Sequence, residues 1–256
     1  MFDNNFSREN KNISQLSKWK QTVIFLVGLF GLIIAQIVVQ LIVDSIALIV
    51  NGGKNSSYNS FINSVDYSFL LNAIPYIILL AFFVFFTKPD WKELTKSFKG
   101  WKPFVAGLVG IAVIFSFNIS YNVFLNILKV EIVDNSNESV LNLIVGKYPL
   151  FSLIIFANLG PICEELTYRV GLFSLVRRVN KIFAYFVTII VFTLIHFDYG
   201  SIGTSDFINE LINLPFYFVA GFTFTFLYEK YGFAGSLTAH ILNNTISVLL
   251  TIVATL

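Results

Sequence analysis

Long apolar runs separated by short polar breaks dominate the chain. A hydrocarbon core about 30 Å thick takes roughly 20 mostly apolar residues per helix. On that ruler the runs predict membrane helices at 21–50, 67–87, 104–128, 149–175, 182–198, 211–229 and 235–255. The breaks have local causes. Asn51-Gly52-Gly53 ends the first helix, Lys88-Pro89-Asp90 ends the second, Lys102-Pro103 introduces the third, and Tyr231-Gly232 separates the last two, each being a breaker of helix propagation. Residues 130–147 leave room for a short partial helix. The expected fold is all-α, a polytopic membrane helix bundle of seven transmembrane helices, or eight if 130–147 enters the membrane.

Composition agrees with the pattern. The 256 residues are 56% hydrophobic and 12% charged, with a mean hydropathy of +0.75, whereas soluble domains carry about 25% charged residues. Residues 1–20 form a polar tail. The apolar run from Val23 to Val43 that follows exceeds the short core of a secretory signal, which predicts an uncleaved first helix. Residues 21–256 show neither an interdomain linker nor an internal repeat and are expected to form a single transmembrane domain. A net charge of +2 gives no footing for nucleic acid. The single Cys163 excludes an internal disulfide and any multi-cysteine metal site, and is expected to be a small buried filler.

Lys and Arg set the expected orientation. With the N-terminus inside, the inner segments hold Arg8, Lys11, Lys18, Lys20, Lys88, Lys92, Lys96, Lys99, Lys102, Arg177, Arg178, Lys181 and Lys230. Only Lys54, Lys129 and Lys147 fall outside, and Arg169 lies within the membrane. The tail 1–20 is therefore read as cytoplasmic. Lysines alternate with Trp91, Leu94, Phe98 and Trp101 between Lys88 and Lys102, a pattern shared by an amphipathic surface helix and a positive-inside loop with interfacial aromatics.

Against this apolar background, Gly160-Pro161-Ile162-Cys163-Glu164-Glu165-Leu166-Thr167-Tyr168-Arg169 stands out. An ionisable group at the centre of a spanning helix costs about 2.5–3.5 kcal/mol on insertion scales and marks a candidate site. Glu165 and Arg169 are four apart with the acid first, the favourable orientation for a same-face ion pair. That pair leaves Glu164, about 100° around the helix, free for other work. The two histidines, His196 and His240, both fall in apolar runs, and Asn244 follows His240 by four residues. Asp44, near the outer end of the first helix, is expected to snorkel or cap. Glu164 assisted by His196 suits activation of a water for attack on a carbonyl carbon. His240 and Asn244 suit donation to the developing oxyanion. Two His and one carboxylate also make a recognised zinc ligand set, so Glu164, His196 and His240 leave metal-activated water open. No Gly-x-Ser-x-Gly elbow or His-Glu-x-x-His helix occurs.

Taken in order, Glu-Glu-x-x-x-Arg (Glu164, Glu165, Arg169), Phe-x-x-x-His (Phe192, His196) and His-x-x-x-Asn (His240, Asn244) resemble the CAAX protease and bacteriocin-processing enzyme family. This Abi family of intramembrane proteases includes the type II CAAX prenyl endopeptidases. The motifs lie within 161–248, and the earlier helices match only in being hydrophobic. The resemblance implies an intramembrane endopeptidase whose site lies below the membrane surface, open to the cytoplasm or laterally to lipid. It implies Glu164 and His196 as water activators, His240 and Asn244 as oxyanion hole, Glu165 and Arg169 as supporting pair, and Phe192 packed beneath. The family has been described both as metalloproteases and as glutamate proteases; the metal-free form is favoured here, with zinc as the alternative, since carboxylate, imidazoles and amide already complete the constellation.

The family often has Phe-Arg-Gly where this chain has Tyr168-Arg169-Val170, which predicts looser helix packing there. Counted from the nearest inner charge or glycine, Glu164 and His196 lie about 20 Å deep but His240 only about 8 Å. The expected substrate is a membrane-associated peptide or protein, prenylated, leader-bearing or a membrane-anchored regulator. The Phe-, Ile-, Asn- and Lys-rich composition suggests a bacterial cytoplasmic membrane, and with it peptide maturation, bacteriocin immunity or envelope regulation. The alternatives are a non-catalytic scaffold of the same fold and, more remotely, a proton-coupled transporter.

Overall fold

A computed structural model describes residues 11–50, 55–131 and 133–255. Arg8, Lys54 and the Asn51-Gly52-Gly53 break lie outside the described residues. Helix accounts for nearly all of the rest, without strands among the described residues. The main elements are α1 Lys18–Val50, α2 Asn55–Ile62, α3 Val65–Thr87, α4 Lys102–Ile127, α5 Ser136–Lys147, α6 Pro149–Arg177, α7 Lys181–Leu194 and α8 Phe207–Thr255.

Five stretches are long and apolar enough to cross a membrane: Lys18–Val50, Val65–Leu94, Lys102–Ile127, Pro149–Arg177 and Phe207–Thr255. One of the seven expected helices departs from expectation. The helix expected at 182–198 stops at Leu194 and is 14 residues long, because the chain tightens into a turn in which His196 N–H donates to Thr193 O at 3.2 Å. His196 therefore sits just beyond the helix. The last two expected helices are both present, as the limbs of α8 on either side of the expected break at Gly232, whose φ of 76° and ψ of −170° are not helical. Only glycine fits there, since a Cβ would also stand 2.8 Å from Ser97 Cβ. The chain is an integral membrane protein: α1, α3 and α4 expose rows of Ile, Leu, Val and Phe around their circumference, which in water would be an aggregation surface and in lipid is the solvated state.

The bundle is organised around α6. Its most apolar window is 56% buried, against 17–22% for the other four spans. Two of its stretches, Ile155–Leu159 and Glu165–Phe173, are π-helix. Such widened turns are rare and frequent at functional sites. Side chains take up carbonyls that the wider turns displace. Asn158 Nδ2 donates to Leu153 O at 2.7 Å and Ser174 Oγ donates to Arg169 O at 2.9 Å, both five residues back. The close approach of α6 to α1 comes from Gly171, where a Cβ would lie 2.8 Å from Phe25 N. Val170, expected to loosen the packing, is instead fully buried in the main core with Phe173 and Tyr228. The backbone contact has passed to its neighbour.

The two ends of the bundle differ. At one end gather the Lys- and Arg-rich segments, joined by Lys20–Asp90 at 2.5 Å, Arg177–Glu229 at 3.1 Å and Lys181–Glu229 at 2.9 Å. The stretch Lys88–Lys102 is there a series of short turns rather than one amphipathic helix, with Leu94 buried and Trp91 and Trp101 exposed. Residues 12–17 lie across this end as a strap. Ser14 N–H donates to Tyr228 Oη at 3.0 Å, Gln15 N–H to Glu93 Oε1 at 2.9 Å, and Arg178 Nη2 to Leu16 O at 2.7 Å. Its own Ile13 and Leu16 are buried.

At the opposite end lies α5, capped by Asn135 Oδ1 accepting from Glu138 N–H at 2.8 Å. It is tied to α3 through Lys147–Asp66 and to α8 by Thr251 Oγ1 donating to Asn142 Oδ1 at 3.0 Å. Asp44 accepts from Tyr67 Oη at 2.9 Å, joining α1 to α3.

Candidate active site

The structure brings Glu164, Glu165 and His240 into contact. Arg169 Nη1 lies 3.2 Å from Glu165 Oε1, both side chains wholly buried. The same carboxylate oxygen is 2.8 Å from His240 Nδ1, and His240 Nε2 is 3.6 Å from Glu164 Oε2. Arg169, Glu165, His240 and Glu164 thus form one chain of contacts. The unequal depths read from residue counts do not keep Glu164 and His240 apart, since His240 Nε2 lies 3.6 Å from Glu164 Oε2.

A carboxylate held by Arg169 acts as acceptor, so His240 Nδ1 is the donor to Glu165. Its Nε2 then faces Glu164 and donates when the ring is the imidazolium. The ring stacks on Phe224 at 4.4 Å between centroids with planes 17° apart. Arg169 is held from the other side by aromatic faces, with its guanidinium carbon 4.5 Å from the Phe192 ring centre and 5.4 Å from that of Phe224. Its Nη2 donates to Gly221 O at 3.3 Å. Phe192 therefore lies under the Arg169–Glu165 pair and meets Tyr168 edge to face at 5.7 Å.

His196 approaches from the turn after α7. Its Nδ1 is 2.8 Å from Phe192 O. A carbonyl only accepts, so Nδ1 carries the proton and Nε2 presents its lone pair. The ring stacks on Tyr217 at 4.3 Å and 17°, and Tyr217 Oη accepts from Asn135 Nδ2 at 2.9 Å. Glu210, buried in α8, clamps the same region. It accepts Asp198 N–H and Ser136 N–H, each at 3.1 Å, and so fixes the His196 turn against the start of α5.

Asn244 Nδ2 donates to Phe156 O at 3.1 Å, and Asn243 Nδ2 donates to Asn244 Oδ1 at 3.2 Å. One amide hydrogen of Asn244 stays uncommitted in this set.

Glu164, His196, His240 and Asn244 all line one cavity of about 940 Å³. Glu164 Oε1 accepts from Tyr76 Oη of α3 at 3.2 Å. Glu164 Oε2 is buried without a hydrogen-bond partner. Tyr76, Tyr217, Phe224 and Glu210 were not singled out from the sequence. A tyrosine hydroxyl beside Pro75 in an otherwise apolar run was the available signal for Tyr76; stacking on histidines leaves none. Cys163 is buried against α3, its thiol 3.9 Å from Tyr76 O. Among the described residues no three His, Cys, Asp or Glu side chains stand together in an arrangement able to hold a metal ion. Glu164, His196 and His240 share the cavity wall but do not form a ready ligand set.

Residues 146–246 match the family model of the type II CAAX prenyl endopeptidase Rce1-like proteins. This segment is Rce1-like. It contains all seven motif residues, from Glu164 to Asn244, and so agrees with the resemblance carried by the motifs. Among curated proteins the chain is similar to the UPF0177 protein YvdC of Lactococcus lactis subsp. lactis (strain IL1403), 26% identical over 147 residues, or 57% of this chain and 52% of that protein. The alignment thus covers about half the length of the relative. No solved structure matches the chain significantly. The Rce1-like segment holds α6, α7 and most of α8, whereas α1, α3 and α5 complete the cavity from outside it.

Proposed function

We propose that the protein is an intramembrane endopeptidase that hydrolyses a peptide bond of a membrane-associated peptide or protein. The observation that carries this reading is the convergence of Glu164, His196, His240 and Asn244 on one cavity, with His240 held by Glu165. The Rce1-like match supports the same class. In this reading a water sits between Glu164 Oε2 and the lone pair of His196 Nε2. Glu164 takes a proton as the water oxygen attacks the scissile carbonyl carbon. The new oxyanion accepts from His240 Nε2–H and the free Asn244 N–H, and such preorganised donors are worth most in a water-poor site. Collapse of the tetrahedral species breaks the C–N bond, and the proton held on Glu164 passes to the leaving amine. No step is routed through a metal.

The cytoplasmic membrane of a bacterium, with the N-terminus inside, is the proposed setting, on the strength of the Lys and Arg asymmetry. Peptide maturation, bacteriocin immunity and envelope regulation are the proposed roles. The test compares membrane-peptide termini by mass spectrometry in cells carrying wild type or Glu164→Gln at matched expression. A terminus generated by wild type alone supports proteolysis and identifies the substrate. Identical profiles, with the mutant complementing a deletion phenotype, replace this reading with that of a scaffold.

A further inference from the structure

A second concavity lies on the outside of the bundle, between α4 and the first limb of α8. It holds about 520 Å³ and shares no described lining residue with the candidate active site. Small residues hollow it out: Ala106 and Gly110 of α4 line it opposite Phe222, Phe226 and Leu227 of α8. The two helices meet closely here because Gly110 has no side chain, and a Cβ on it would lie 2.6 Å from Leu227 Cδ1. Along α4 the lining runs from Lys102 to Val113, about 16 Å at 1.5 Å per residue. That is about half of a 30 Å hydrocarbon core, the depth of one leaflet.

Width and charge select the occupant. Spread over about 16 Å, a volume of about 520 Å³ is a mean cross-section of about 30 Å². A helix 10–12 Å across covers about 80 Å² or more and is too wide to seat in it, whereas an extended hydrocarbon chain fits. Left empty in a bilayer, the groove would forfeit dispersion contacts along both walls. Its two ends differ. Val113 and Phe222 stand at the deep end, while Trp101, Lys102 and Tyr231 gather at the Lys- and Arg-rich end. Trp and Tyr are the side chains that favour the level of the lipid headgroups. Lys102 is exposed there and makes no ion pair among the described residues. An unpaired cation at headgroup depth, at the mouth of an apolar groove one leaflet long, complements an anionic headgroup with an acyl chain attached.

We propose that this groove is a binding site for a phospholipid with an anionic headgroup, its acyl chain lying between α4 and α8 and its phosphate at Lys102. The site is separate from the cavity of the protease reading and does not depend on that reading. One cation at an anionic membrane surface favours the anionic lipid about fivefold over a zwitterionic lipid with the same chains.

The experiment uses the full chain carrying Trp19→Phe and Trp91→Phe, both at exposed positions outside the groove, so that Trp101 at its mouth reports alone. The protein is reconstituted in phosphatidylcholine vesicles. A small fraction of the lipid is phosphatidylglycerol or phosphatidylcholine with chains brominated near the headgroup, and quenching of Trp101 is followed. At equal mole fraction the brominated phosphatidylglycerol should occupy the site about fivefold more readily than the brominated phosphatidylcholine. Lys102→Gln should erase that preference, and Lys92→Gln, at the same end but outside the groove, should leave it intact. Val109→Phe, at an exposed lining position, should fill the groove and erase the preference as well. Equal quenching by the two lipids in the parent overturns the proposal. So does a preference that survives Lys102→Gln or Val109→Phe, or one that is lost in Lys92→Gln, since each places the selectivity on the basic surface at large. Displacement of the brominated lipid by farnesol, equal with and without Lys102, would assign the groove to a prenyl chain and overturn it too. The readout needs no turnover, so failure of the protease reading and failure of this one are distinguishable.

Discussion

Asn244 donates to the Phe156 carbonyl at 3.1 Å, and that carbonyl is available because residue 161 is proline. In the π stretch Gly160 N–H bonds Ile155 O. The partner next in register for Phe156 O would be the N–H of residue 161, which Pro161 lacks. A missing backbone donor in α6 thereby orients a side chain on α8.

Pro161→Ala restores that donor and lets it compete for Phe156 O. The expected outcome is a roughly ten- to hundredfold lower cleavage rate, the scale of a small misplacement of a positioned group, with thermal stability unchanged or raised. On the proposed oxyanion role, Asn244→Ala should lose about 10²–10³-fold in kcat. Cleavage assays paired with thermal unfolding in detergent check both. Full activity in Pro161→Ala would show that the backbone gap plays no part in placing Asn244.

Adjacent glutamates should separate activity from stability. Glu165→Gln leaves the buried Arg169 without its counterion, and breaking a buried pair costs about 3–5 kcal/mol. Among the described residues the ion-pair contact of Glu164 is with the His240 ring, and Glu164 borders the cavity, so Glu164→Gln should fold like wild type and lose about 10²–10⁴-fold of the rate. Unfolding temperature and single-turnover cleavage of the two variants decide it. Equal destabilisation by both would remove the division of labour between the two acids.

How far these features were legible beforehand follows from their physical origin. Helix positions came from length and breakers, so α3 and α4 lie within two residues of expectation. The Glu165–Arg169 pair survives the change from α- to π-helix because residues four apart still share a face in the wider turn. The π turns carry no period that a sequence displays. Tyr76, Tyr217 and Phe224 come from apolar runs in which aromatics are common, and only the fold selects those that meet Glu164, His196 or His240.

Gly171 gives a test of the α1–α6 contact. A methyl group there would press on Phe25 N at 2.8 Å and Phe25 Cα at 3.0 Å, both backbone atoms that cannot rotate away. Gly171→Ala should destabilise the protein by about 1–3 kcal/mol, the usual cost of overpacking, and shift Glu164 relative to Tyr76. Thermal unfolding and protease sensitivity of the purified chain report it. A neutral result would mean that α1 can slide along α6.

Glu210 offers the last test, because it acts through His196 rather than on substrate. Its two oxygens hold Asp198 N–H and Ser136 N–H, each at 3.1 Å, and Tyr217 beneath the His196 ring is fixed to the α5 cap at 2.9 Å. Glu210→Ala frees two backbone donors and unpins the His196 turn, so the rate should fall by about 10²-fold. A modest loss of stability, about 1–3 kcal/mol for unsatisfied buried groups, should accompany it. Glu210→Gln keeps one accepting oxygen and should recover part of the rate. A purely structural role predicts that stability and rate recover together. A positioning role predicts that kcat stays low in Glu210→Gln after stability returns, because the Asp198 or the Ser136 contact is still missing and the His196 ring remains misaimed.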